Sequence, residues 1–196
     1  MKSKIKLYDC FSHWQKDGVI YLYSDPHFSD EEMKYLRTNY VGDEEQVRRI
    51  NSKVGKYDTI IFLGDIGNVE WIKKVRGYKI LIKGNHDGGV GKYKRDHKED
   101  NKLFDEVYDG FLAINDKIIL SHQPVQTMPY AFNIHGHVHG LYVPDNHHCN
   151  VCAEHIDYTP VRLDDIVVDN KVKDIKNIHR YFTDIAKEEK KSEVLQ

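Results

Sequence analysis

Two observations predict an α/β fold for this chain. Short apolar, β-branched or aromatic runs, VIYLYS at 19–24, TIIFL at 59–63, KILIK at 79–83 and KIILS at 117–121, alternate with stretches of helical periodicity. Metal-ligating residues follow directly on those runs, which puts them on loops at strand ends, where α/β proteins place their chemistry.

Taken in order, residues 4–10 and 19–24 are expected to form an opening pair of strands turned at Lys16, Asp17 and Gly18. Asp43 is the expected N-cap of a helix whose first turn holds Glu44, Glu45 and Gln46, with Gln46 at the capping-box position. Val47, Ile50 and Val54 give that helix an apolar face, and Gly55 ends it. A strand is expected at 59–63. Asn68 then caps a short helix through Val69, Trp71, Ile72 and Val75, stopped by Gly77, and the next strand is 79–83. A lysine-rich loop, 91–98, leads to a second helical stretch around Leu103, Phe104 and Val107. Residues 110–114 and 117–121 flank Asn115 and Asp116, a hairpin turn. Short strands follow at 132–134 and 149–154, and 161–168 reads as a strand or short helix behind Pro160. The chain closes with a helix through Ile178, Tyr181, Phe182 and Ile185 that gives way to the charged run AKEEKKSE.

The bounds are those of one domain, 1–183, with a charged tail, 184–196. Lys and Arg total 29 against 31 Asp and Glu, a net charge of -2, so there is no overall basic field to attract nucleic acid. The basic start is not followed by a signal-peptide apolar region, and no apolar run approaches a membrane span. The cysteines Cys10, Cys149 and Cys152 are odd in number, and a reduced, cytoplasmic setting is expected.

Five motifs carry the chemistry: Asp25-Pro26-His27, Gly64-Asp65-Ile66-Gly67-Asn68, Gly84-Asn85-His86-Asp87, Ser121-His122 and Gly136-His137-Val138-His139. Singly, each occurs by chance; in this order and at strand ends they describe a two-metal phosphoesterase. The series resembles the calcineurin-like metallophosphoesterase superfamily over residues 19 to about 168. It is closest to the small, stand-alone bacterial and phage members, in which a late segment like Asn150-Val151 through Tyr158, Pro160, Val161, Leu163 and Ile166 recurs.

The resemblance implies a four-layer αββα sandwich, two mixed sheets flanked by helices with the metals at one edge. It implies that Asp25, His27 and His139 bind one divalent ion, that Asn85, His122 and His137 bind another, and that Asp65 bridges them. Mn²⁺ is the first expectation for both ions, with Fe, Zn or Ni as alternatives. A hydroxide held between the ions would attack phosphorus, and His86 would protonate the leaving oxygen, its ring oriented by Asp87. Asn85, His86 and Asn68 are the candidate substrate contacts. The substrate would be a phosphodiester or phosphomonoester, with a nucleotide or nucleic acid as one class.

Two other functions fit the family: a catalytically silent scaffold and a protein phosphatase. The second motif lacks the arginine with which protein phosphatases contact phosphate, and this chain keeps the histidine and ligands that scaffolds lose. Asn68, where the commoner motif has aspartate, is read first as a helix cap. Outside these motifs, His147, His148, Cys149, Cys152 and His155 form half a zinc-site pattern. With no second Cys pair, Cys152 is expected in the core and the histidines on a loop near the mouth of the site. The basic loop from Lys92 to Lys98 is expected to be solvated, and Arg37, Asn39 and Tyr40 lie where a lid could form.

Overall fold

In the computed structural model, which describes residues 5–88, 103–141, 143 and 145–194, two β-sheets pack over a shared core. In the first sheet, β1 (Ile20–Tyr23), β2 (Thr59–Phe62), β3 (Tyr78–Ile82) and β4 (Glu106–Tyr108) are parallel neighbours in that order. The short strand β9 (Val161–Arg162) runs antiparallel along the other side of β1. The second sheet joins the antiparallel hairpin of β5 (Phe111–Ala113) and β6 (Ile118–Ser121) to the parallel strands β7 (Phe132–His135) and β8 (His148–Asn150). Helices α1 (Met33–Leu36), α2 (Asp43–Lys53), α3 (Leu163–Asp169) and α4 (Ile178–Val194) complete an α/β sandwich of two mixed sheets.

Strand alternation builds the core on both faces. Ile20 and Leu22 of β1, Ile80 and Ile82 of β3, and Ile61 point between the sheets to meet Leu120, Phe132 and Ile134. The intervening residues Tyr21, Tyr23, Ile60, Phe62 and Leu81 point outward and are covered by Val47 and Ile50 of α2 and by Val54 just past its end. A strand buried on both sides reads as an unbroken apolar run, the pattern of the 19–23 and 59–63 segments. Each such side chain contributes about 1.5–3 kcal/mol of burial, so the centre of the first sheet is a rigid platform for the loops at its ends.

Several expectations are corrected. Of the strand expected at 4–10, the described residues 5–10 form none: both edges of β1 are taken by β2 and β9, and the chain instead enters a 3₁₀ helix, Asp9–Gln15, that buries Trp14. The helix expected around Leu103 to Val107 is the edge strand β4, because β3 has a free edge and Asp105 joins it, its N–H donating to the Lys79 carbonyl at 2.7 Å. Gly42, not Asp43, stands at the N-cap of α2, while Asp43 accepts from the Ser29 N–H at 2.8 Å. Gln46 turns inward rather than closing a capping box: it accepts from the Tyr23 hydroxyl (2.9 Å) and donates to the Pro26 carbonyl (3.2 Å), pinning the first motif to α2.

The stretch 161–168 divides into β9 and α3, and the strand at 149–154 is cut to His148–Asn150. Helix α4 runs through the expected boundary at 183 as far as Val194. The lysine-rich loop 91–98 lies outside the described residues. Among the described residues no helix is long and apolar enough to cross a membrane.

Candidate metal centre

All seven expected ligands lie beyond the C-terminal ends of strands. Asp25 and His27 follow β1, Asp65 follows β2, Asn85 follows β3, His122 follows β6, and His137 and His139 follow β7. Parallel strands point these ends the same way, so the loops of both sheets meet along one rim. The rim is stitched across the sandwich: the Ser24 N–H donates to the Val151 carbonyl (3.0 Å) and the Ala153 N–H to the Ser24 carbonyl (2.9 Å).

The backbone of this rim is strained. Asp25, His27, Asp65, His137 and His139 adopt φ values of 54°, 46°, 50°, 67° and 51°. The left-handed region costs a non-glycine residue about 1–3 kcal/mol and persists where the surroundings hold it, most often at functional sites. Gly136 is required by close approach, since a Cβ there would lie 1.9 Å from Ser24 Oγ and 2.2 Å from Asp25 Oδ2.

Two groups of donor atoms result. Asp25, His27 and His139 form one, and Asp65, His122 and His137 the other, with ligand atoms within 4.8 Å of one another in each. Asn85 joins the second group. Around His122 Nε2 stand Asn85 Oδ1 at 2.8 Å, His137 Nδ1 at 3.0 Å and Asp65 Oδ2 at 3.3 Å. Such spacings suit donors arranged about one small divalent cation with bonds of about 2.1 Å. Asp65 Oδ2 also lies 3.8 Å from His27 Nε2, so one carboxylate oxygen faces both groups.

The first group has unmet polar atoms. Among the described residues, Asp25 Oδ1 and His27 Nε2 are buried without a hydrogen-bond partner and stand 3.9 Å apart. Each such atom costs about 1–3 kcal/mol when left unmet, and a cation between them would satisfy both. Burial pushes the His27 pKa down, which keeps its lone pair available. Imidazole, carboxylate and amide oxygen together suit Mn, Fe, Zn or Ni. The residues fit a pair of divalent ions.

Second partners aim the candidate ligands. The His122 Nδ1–H donates to the Leu63 carbonyl (2.7 Å), and the His139 Nδ1–H to Glu154 Oε1 (2.8 Å). His27 Nδ1 lies 3.4 Å from Asp30 Oδ2. The second oxygen of Asp25 accepts from the His137 N–H (2.9 Å), the Ser24 hydroxyl (2.5 Å) and the Cys152 thiol (3.3 Å). Burial raises the carboxyl of Asp65, but its contacts with His122 and the His86 N–H outweigh that and hold its pKa below the usual value. Burial likewise works against Glu154, whose pKa is nevertheless lowered by His139 and the Arg37 charge.

The remaining candidates separate. His86 is exposed, its N–H donating to Asp65 Oδ1 (2.9 Å) and its ring 5.7 Å from that of His27. Asp87, expected to orient the His86 ring, turns its oxygens to the N–H groups of Gly84, Asp65 and Ile66 at 2.8–2.9 Å, and so locks the β2 and β3 loops together. Asn68 caps as expected, accepting from the Glu70 N–H (3.1 Å), and its amide donates to Ser29 Oγ (3.3 Å). Cys152 is a buried core thiol beside Asp25. His147 and His148 are bound to the Ala131 and Val125 carbonyls and Asp145, away from the mouth of the site.

Sequence reasoning missed Glu154 and misplaced Arg37. Arg37 is 5% exposed and lies beneath His139 rather than over it as a lid. The signal for Glu154 was its position: it follows β8, a parallel neighbour of β7, at the same rim.

No protein-family model matches the chain, and no curated protein matches it. Among solved structures it is similar to the crystal structure of a protein of unknown function from Aquifex aeolicus, at 26% identity and a TM-score of 0.60, over 76% of this chain and 97% of that one. That likeness extends to most of the architecture, and the neighbour carries no assigned activity.

Proposed function

We propose that this chain is a two-metal phosphoesterase of the calcineurin-like type, hydrolysing a phosphodiester or phosphomonoester. One observation carries the reading: seven residues from five separate motifs converge at one rim, with a single oxygen of Asp65 facing both donor groups, 3.3 Å from His122 and 3.8 Å from His27. Asp25, His27, His139 and Asp65 would hold one ion, and Asn85, His122, His137 and Asp65 the other. Mn²⁺ is the proposed occupant of both sites. When bound, the pair supplies Lewis acidity that draws charge from the phosphoryl oxygens and activates water at neutral pH.

The chain's own residues would do the rest. His86, exposed at the rim and tied by its backbone to Asp65, would give a proton to the leaving oxygen, a task for which an imidazole is suited. Asp87 would hold the loop that carries Asn85 and His86 at a fixed distance from Asp65. Asn85 would supply an amide to the second ion and to the substrate phosphate. Retention of every ligand and of His86 favours the enzyme over a silent scaffold. Cys10, Cys149 and Cys152 are unpaired, in keeping with a proposed cytoplasmic setting.

The test uses bis-p-nitrophenyl phosphate and the full chain. Hydrolysis with added Mn²⁺ is expected, with loss on chelation and a fall of about 10³-fold in Asp65→Asn, the scale of several kcal/mol of metal-borne stabilisation. Hydrolysis that survives both the chelator and the substitution would sink the reading.

A further inference from the structure

The two donor groups are backed differently. In the second, His122 is aimed by the neutral Leu63 carbonyl, and Asn85 is itself a neutral ligand. In the first, both imidazoles are backed by carboxylates: His139 by Glu154 Oε1 at 2.8 Å and His27 by Asp30 Oδ2 at 3.4 Å. The first group also has its own carboxylate, Asp25, in addition to the shared Asp65.

Glu154 is held for this task. Its side chain is 10% exposed and stands 3.4 Å from Arg37 Nε, whose side chain is 3% exposed. A carboxylate so buried stays ionised only beside a cation, and Arg37 provides one. Arg37 reaches further: its Nη2 donates to the Asp25 carbonyl (3.0 Å) and lies 3.1 Å from His139 Nδ1, so one guanidinium spans two ligand-bearing loops. Asn39 closes the arrangement by donating to the Glu154 backbone carbonyl at 3.1 Å.

We propose that Glu154, clamped by Arg37, is a positioning residue that fixes the His139 tautomer, presents Nε2 to the ion and makes the Asp25–His27–His139 group the tighter of two unequal metal sites. This rests on the two-metal reading and adds an order of filling to it. The carboxylate raises the basicity of the imidazole by taking its Nδ1 proton into a charged hydrogen bond, whereas the Leu63 carbonyl does so weakly. The second site fills later and exchanges its ion more readily.

The experiment titrates the metal-free full chain with Co²⁺ alone, read by visible absorption and calorimetry. Two resolved steps are expected in the wild type. In His122→Ala the tight step should remain, which assigns it to the first group. Glu154→Gln should weaken the tight step by about 10–100-fold and leave the second step in place, with unchanged far-UV circular dichroism. Asp30→Asn, acting over a longer and more exposed contact, should weaken the same step less. Equal affinities in the wild type, an unmoved tight step in Glu154→Gln, or a parallel weakening of both steps would each overturn the proposal while leaving two-metal binding intact. A wild-type chain that takes up no Co²⁺ would overturn the phosphoesterase reading and this inference together.

Discussion

The two ends of the first sheet use the same chemistry to opposite effect. At the N-terminal end of the parallel strands, Glu106 is surrounded by donors: one oxygen accepts from His13 (2.6 Å), Trp14 (3.0 Å) and Tyr78 (2.8 Å), and the other from Tyr108. At the C-terminal end, Asp25 and Asp65 sit among imidazoles, yet Asp25 Oδ1 and His27 Nε2 are buried and, among the described residues, unmet, on a backbone bent into left-handed conformations. A satisfied carboxylate stabilises the fold. A carboxylate with one oxygen left unmet, kept in place at a cost in strain, is poised for something the described residues do not supply.

The largest effect should come from His86→Ala. Turnover of bis-p-nitrophenyl phosphate is expected to fall about 10²–10⁴-fold, while elemental analysis still finds two ions per chain. Loss of the ions instead would make His86 a ligand and blur the division between rim and acid. Glu106→Gln should leave turnover unchanged, since it lies at the other end of the sheet.

Metal should stabilise the rim and nothing else. Mn²⁺ at about 100 times its dissociation constant is expected to add about 2.7 kcal/mol per site to the unfolding free energy, read from urea midpoints. In Asp25→Asn, that gain should shrink, while the metal-free chain is no less stable than wild type because the amide oxygen can keep the hydrogen bonds made by Oδ2 and the position of the unmet Oδ1 no longer carries charge. A metal-free chain several kcal/mol weaker would show that Asp25 is structural, as Glu106 is.

The Glu106 corner should respond to acid. Glu106→Gln is expected to cost about 2 kcal/mol at neutral pH, the difference between hydrogen bonds to a charged and to a neutral acceptor. Burial raises the Glu106 pKa, but the hydrogen bonds from Tyr108, His13, Tyr78 and Trp14 outweigh it and leave the folded value below the ordinary one. Its contribution is therefore complete above the unfolded carboxyl pKa of about 4.3 and disappears as pH falls through the lower folded value. Denaturation midpoints of wild type and variant should converge only below about pH 4. A gap already absent at pH 5 would show that the Glu106 carboxylate is not its source.

The smallest effect separates Asn68 from the site. Asn68→Ala should lower stability by about 1 kcal/mol through loss of the cap at Val69–Lys74 and leave KM unchanged. A raised KM with unaltered stability would restore it as a substrate contact.

The seven candidate ligands were legible because each follows a strand signal within a few residues, and a strand end fixes where the next residues stand. Glu154 and Arg37 were not. Glu154 belongs to no motif and meets His139 only because β8 lies beside β7, while Arg37 arrives from the loop after α1, 102 residues away in sequence. The strand–helix errors have the same origin. The 103–107 segment has apolar residues at helical spacing, but the open edge of β3 offers it backbone hydrogen bonds that its own periodicity cannot outbid. At 5–10 the reverse holds, since β1 has no edge left to share.

From its sequence alone, then, this chain determined the α/β class, the apolar strands that make the platform and the identity and order of the candidate ligands, because these depend on local periodicity and on residues adjacent in the chain. Only the tertiary structure decided which oxygen of Asp65 faces both groups, which buried atoms lack partners, and that Glu154 and Arg37 stand behind His139. Those facts depend on distances between strands of two sheets, which no local interaction encodes.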